Sequence, residues 1–66
     1  MTKSKILGTI KLKAYTNYMI WVVSNDIRNY DKSILFLELY CELTNKSFIK
    51  EKTQMWKEYE RFKKPS

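Results

Sequence analysis

The chain has 66 residues, with 13 Lys and Arg against 7 Asp and Glu, a formal charge of +6, no histidine, one cysteine and one glycine. Without histidine, Ser-His-Asp and Cys-His catalysis, histidine zinc sites and neutral-pH switching are excluded. With Gly8 as the only glycine, so are the glycine-rich phosphate cradles.

A chain of this length makes one small domain at most, with a modest core. No disulfide can staple it, because Cys41 stands alone in the apolar run Ile34–Leu43. It reads as a small buried residue in a reducing compartment, not as a nucleophile, for no base is present to activate it. The acidic residues form no calcium-loop pattern, so no metal or other cofactor is expected. A hydrophobic content of 44%, with 15% aromatic residues, favours a folded domain over a disordered basic tail. The least charged runs, Ala14–Asn25 and Ser33–Leu37, are too short for a membrane span. No signal-peptide pattern follows Lys3 and Lys5, so the expected protein is cytoplasmic, unprocessed and not an enzyme.

Charge is unevenly placed. Residues 1–13 carry Lys3, Lys5, Lys11 and Lys13 with no acid, residues 14–45 are mildly acidic, and residues 46–66 are again basic. If the two ends meet, they form one basic face suited to phosphates or an acidic protein surface. The plainer reading is a lysine-rich surface that keeps the chain soluble.

Taken in chain order, Lys3–Tyr15 alternates with period two. Ile6, Gly8, Ile10, Leu12 and Ala14 share one face, and Lys3, Lys5, Thr9, Lys11 and Lys13 the other. This is the pattern of a half-buried strand with a basic outer face. A helical reading also runs through Leu7, Ile10, Ala14, Tyr18 and Trp21, but it leaves the lysines unexplained. Thr16-Asn17 then serves as a turn, and Tyr18–Val23, rich in aromatic and β-branched residues, as a second strand.

Ser24-Asn25-Asp26 is a polar break, and each of the three can cap a short helical turn through Tyr30. Asp31 or Ser33 next opens a helix through Thr44. Ile34, Leu35, Leu39 and Leu43 form one apolar side, extended by Phe36, Leu37, Tyr40 and Cys41, and Glu38 and Glu42 mark its wet strip. So apolar a helix needs cover on most sides, from the hairpin, the last helix or a second copy of the chain as a homodimer.

After the break Asn45-Lys46-Ser47, Ser47 caps a final amphipathic helix ending before Pro65. Phe48, Ile49, Met55, Trp56, Tyr59 and Phe62 form its apolar stripe, and Lys50, Lys57, Arg61 and Lys64 its basic back. Trp56, Tyr59 and Phe62 could stack bases, yet they share the stripe that the core needs. Laying that stripe on anionic lipid would strip the domain of core. Tyr15, Tyr18 and Tyr30 lie in or beside the hairpin, where exposed tyrosines favour interfaces.

The expected fold is therefore α+β: one domain over residues 1–66, an N-terminal β-hairpin followed by two α-helices, with an all-α three-helix domain as the alternative. One basic strand followed by two helices has the topology of the ribbon-helix-helix repressors. That family would place Thr16–Asn29 in the first helix and usually has a glycine in the following turn, which this chain lacks, so the likeness is topological only.

The expected function is a small, basic, non-enzymatic regulatory protein that binds nucleic acid, DNA or RNA. Its candidate contacts are Lys50, Lys57, Arg61 and Lys64 of the last helix with Lys3, Lys5, Lys11 and Lys13 of the first strand. The alternative is a phage-like or mobile-element inhibitor or accessory subunit docking on a larger host protein. Five Tyr, two Trp and three Met supply the residue types of interface anchors.

Overall fold

A computed structural model describes the backbone of residues 2–63 and the side chains of residues 2–60. Among the described residues there is no strand. Three helices follow one another: α1 (Lys3–Ser24), α2 (Ile27–Thr44) and α3 (Phe48–Lys63). The fold is all-α, and the expected N-terminal hairpin does not form.

The segment expected to fold as two strands is one helix of 22 residues. Thr2 caps it, accepting a hydrogen bond from the Lys5 amide at 3.3 Å. The expected turn at Thr16-Asn17 stays helical, and the Asn17 side-chain amide donates to the Lys13 carbonyl at 2.8 Å. Asn17 also accepts from the Asn29 side chain at 3.1 Å, which ties α1 to α2. Two physical terms decide against the hairpin. A two-stranded ribbon is marginal in water, whereas a helix satisfies its interior backbone groups within one segment. Leu7, Ile10, Ala14, Tyr18 and Trp21 then all reach the core, as the helical period requires.

Asn25, at φ 64°, ends α1 in the left-handed region, and its amide donates to the Trp21 carbonyl at 2.8 Å. Asp26 immediately caps α2. Its carboxylate accepts from the Arg28 amide at 3.0 Å and pairs with the Arg28 guanidinium at 3.1 Å. Those hydrogen bonds, followed by the guanidinium charge, hold the Asp26 carboxyl below its usual range. With Asp26 as cap, the expected short turn and the expected helix merge into one element. Ser33 is not a cap. It is buried in the interior, and its hydroxyl donates to the Tyr30 carbonyl at 2.7 Å.

Asn45, at φ 58°, ends α2, where the Lys46 amide donates to the Cys41 carbonyl at 3.0 Å. Ser47 caps α3 as expected, accepting from the Lys50 amide at 3.4 Å.

The core takes Ala14 and Tyr18 from α1, Leu37, Tyr40 and Cys41 from α2, and Met55 from α3. Tyr59 joins α3 to α1, its ring centroid 5.9 Å from Tyr15 and 6.1 Å from Tyr18. Tyr30 closes the other end against Trp21 at 5.4 Å. Tyr15, Tyr18 and Tyr30 are thus core or half-buried, not exposed anchors.

Two apolar assignments are corrected. Phe48, Met55 and Tyr59 turn inward on α3, but Ile49 is 76% exposed and Trp56 48%. The reason is angular, since both lie about 100–120° around the axis from Met55 at 3.6 residues per turn. On α2 the buried side is Ser33, Leu37, Tyr40 and Cys41, so Leu35, Leu39 and Leu43 face outward.

Candidate nucleic-acid interface

α3 has an outer side opposite its buried one. Lys50 and Lys57 are both exposed there. They lie within about 20° of each other around the axis, about 140–160° from Met55 and roughly 10 Å apart along the helix. Gln54 stands exposed between them. By helical angle, Glu58 and Glu60 fall to either side of this row, so its field is positive but narrow. Arg61 and Lys64 continue the spacing in sequence. The Arg61 side chain and the whole of Lys64 lie outside the described residues, as does the Phe62 side chain.

The N-terminal lysines do not extend this row as expected. A strand would have aligned Lys3, Lys5, Lys11 and Lys13, but a helix advances about 100° per residue and spreads them around its circumference. Lys3, Lys5 and Lys13 are exposed. Lys11 is half-buried, its ammonium 5.7 Å from the Tyr15 ring centroid and 5.5 Å from that of Tyr40. Lys46, absent from the expected set, approaches the same Tyr40 ring at 5.6 Å. These cation–π contacts give Lys11 and Lys46 a structural use on Tyr40. No sequence period could have paired them, because the contact crosses from α1 to the α2–α3 connection.

The thiol of Cys41 is buried, and burial first, then the charge of Glu51, pushes its pKa up. It stays protonated, which matches its reading as a small core residue. Glu38 and Glu42 are both exposed, as a wet strip should be. Among the described residues no three His, Cys, Asp or Glu side chains gather in a way that could hold a metal ion. No helix among them is long and apolar enough to cross a membrane. α1 has the length, but four lysines interrupt it.

The surface also carries apolar groups that a closed core would have covered. Leu12 is 66% exposed and Val23 70%, both on the outer side of α1, while Leu35 is 66% exposed on α2 beside Leu39 and Leu43. The leucine spacing was legible in the sequence, but periodicity does not say which of two apolar sides meets the core. Comparison of the chain with protein-family models, with curated proteins and with solved structures finds no match.

Proposed function

We propose that this protein is a small regulatory binding module without catalytic chemistry, and that it engages nucleic acid through the outer side of α3. The observation that carries this reading is the exposed pair Lys50 and Lys57, aligned opposite Met55 on a chain of net charge +6. Lysine ammonium groups are point charges, suited to phosphate oxygens and indifferent to sequence. Arg61 and Lys64 continue the same spacing in the sequence. DNA and RNA are both within reach of such contacts, because the phosphate is what is bound.

The test is fluorescence anisotropy with labelled single- and double-stranded oligonucleotides, begun at low salt. With two or three phosphates engaged, affinity should fall roughly ten- to fifty-fold between about 50 and about 200 mM salt. The double variant Lys50→Glu/Lys57→Glu should lose binding while its helical circular dichroism stays unchanged. Absence of binding at low salt ends this reading. Loss of the helical signal would instead assign the two lysines to the fold.

A second reading is favoured by the exposed leucines of α2 and by Leu12 and Val23 of α1. It is a protein-directed inhibitor or accessory subunit, of phage or mobile-element type, that docks on a larger host assembly. A pull-down from the native host after nuclease treatment tests it, and recovery of no stoichiometric partner counts against it.

A further inference from the structure

Among the described residues, Trp56 is the one aromatic side chain that stands exposed. The tyrosines and Phe48 pack in or against the core, and Trp21 packs on Tyr30, but no other described ring packs on Trp56. Its surroundings are ordered by Thr53, a small and exposed residue. Ile49 and Lys50 lie four and three residues before Thr53, and Trp56 and Lys57 three and four after it. All four therefore border Thr53 on the surface of α3, and all four are exposed. Ile49 and Trp56 make one edge of this patch, within about 20° of each other around the axis. Lys50 and Lys57 make the other edge, about 80–120° away.

We propose that this patch takes single-stranded nucleic acid, with an unpaired base stacked on Trp56 and the adjoining phosphates on Lys50 and Lys57. The proposal rests on the phosphate-binding reading of α3 and adds the base to it. A lysine row by itself accepts a duplex or a single strand, since both present phosphates. An indole face asks for more. Inside a duplex each base is covered by its stacked neighbours, whereas an unpaired base can splay out and offer its flat side. A nucleotide carries its base and its phosphate on different sides of one sugar. A strand running along α3 therefore needs an apolar edge beside a basic one, which is how the patch is built. Helical side chains lean toward the N-terminus, so the indole lies over the turn of Lys52 and Thr53 and away from the carboxylate of Glu60. Lys52 is half-buried there, its ammonium 5.9 Å from the Phe48 ring centroid, and adds positive charge on the far side of the indole.

An anionic lipid surface fits the patch less well. A helix lying on a bilayer needs a broad apolar face, and this edge has two large apolar side chains. Glu60 is exposed within about 40° of both of them around the axis, where a membrane would have to desolvate its charge. A stacked base covers the indole alone and leaves Glu60 in water. Stacking also accepts every base, in keeping with lysines that read phosphate and not sequence.

The experiment titrates the full chain at low salt with three labelled probes: oligo(dT), an abasic strand of equal length, and oligo(dT) paired with oligo(dA). Oligo(dT) should bind about tenfold tighter than the abasic strand and should quench the indole fluorescence. Trp56→Ala changes an exposed position, so it should keep its helical circular dichroism, erase that margin and bind the duplex as the unmodified chain does. Trp56→Phe keeps a flat ring and should retain most of the margin. Its quenching should disappear, because Trp21 is then the one indole left. Equal binding of oligo(dT) and the abasic strand by the unmodified chain overturns the stacking and leaves the phosphate reading of α3 intact. Binding of none of the three probes ends both. A Trp56→Ala variant that keeps its fold and weakens on strand and duplex alike also overturns the proposal. So does binding to phosphatidylcholine–phosphatidylglycerol vesicles that depends on Trp56 where the oligo(dT) margin does not, which would assign the patch to lipid.

Discussion

Tyr15, Tyr18 and Tyr59 meet around the contact between α1 and α3, and their hydroxyls make the fold sensitive to alkali. Burial is the leading reason that all three phenols titrate above their ordinary value of 10.0. For Tyr15 the negative charges of Glu51 and Glu58 add to it, and for Tyr18 the neighbouring Tyr30 does. The unfolded chain therefore releases these protons at lower pH than the folded one. Their contribution is complete below the unfolded pKa and is lost as pH rises through the raised folded values. Thermal midpoints should accordingly fall between about pH 9 and about pH 11, in step with the near-ultraviolet absorbance of tyrosinate. Tyr18→Phe removes one of the three groups and should flatten that decline. An alkaline decline of the same steepness in Tyr18→Phe would mean that the titration of Tyr18 is not coupled to folding.

At the scale of elements, α1 holds the residue least suited to a helix interior. Gly8 lies in mid-helix, has no positive φ to justify it, and faces open space. Gly8→Ala should raise stability by about 1 kcal/mol, read from chemical denaturation, because the change restricts the unfolded chain and clashes with nothing. A loss of stability would show that the backbone at Gly8 is held away from ordinary helical geometry.

The same helix marks the limit of what sequence could disclose. α3 was legible in its N-terminal border, because Ser47 is a strong cap, and in its core residues Phe48, Met55 and Tyr59, although Ile49 and Trp56, read into the same stripe, stand exposed. The C-terminal end of α2 was legible for a similar reason, since Asn45 can adopt the left-handed conformation that ends a helix. α1 was not. Its apolar residues fall on every side, so periods of two and of 3.6 fit almost equally well, and the lysines favoured the wrong one. The candidate site inherits that ambiguity. Lys50 and Lys57 lie as the spacing demanded, whereas Lys3, Lys5, Lys11 and Lys13 share one row only if the segment is a strand.

For the whole molecule, a net charge of +6 belongs to a chain whose described residues have a radius of gyration of 12.1 Å. An unfolded chain of this length spreads over about 25 Å, so folding brings like charges closer together. The Asp26–Arg28 pair offsets little of this, because Arg28 is largely in water. Added salt screens the repulsion, with a Debye length that shrinks from about 30 Å at 0.01 M to about 8 Å at 0.15 M. The folded state should therefore gain stability over that range, and its thermal midpoint should rise by a few degrees. Nucleic-acid binding should change in the opposite sense over the same interval, since phosphate contacts release counterions. Melting curves and anisotropy titrations in matched buffers separate the two effects. A thermal midpoint that falls with salt would mean that attractive ion pairs outweigh self-repulsion in the fold. The exposed lysines of α1, Lys3, Lys5 and Lys13, would then be holding the helices together, and would not be standing free on their surface.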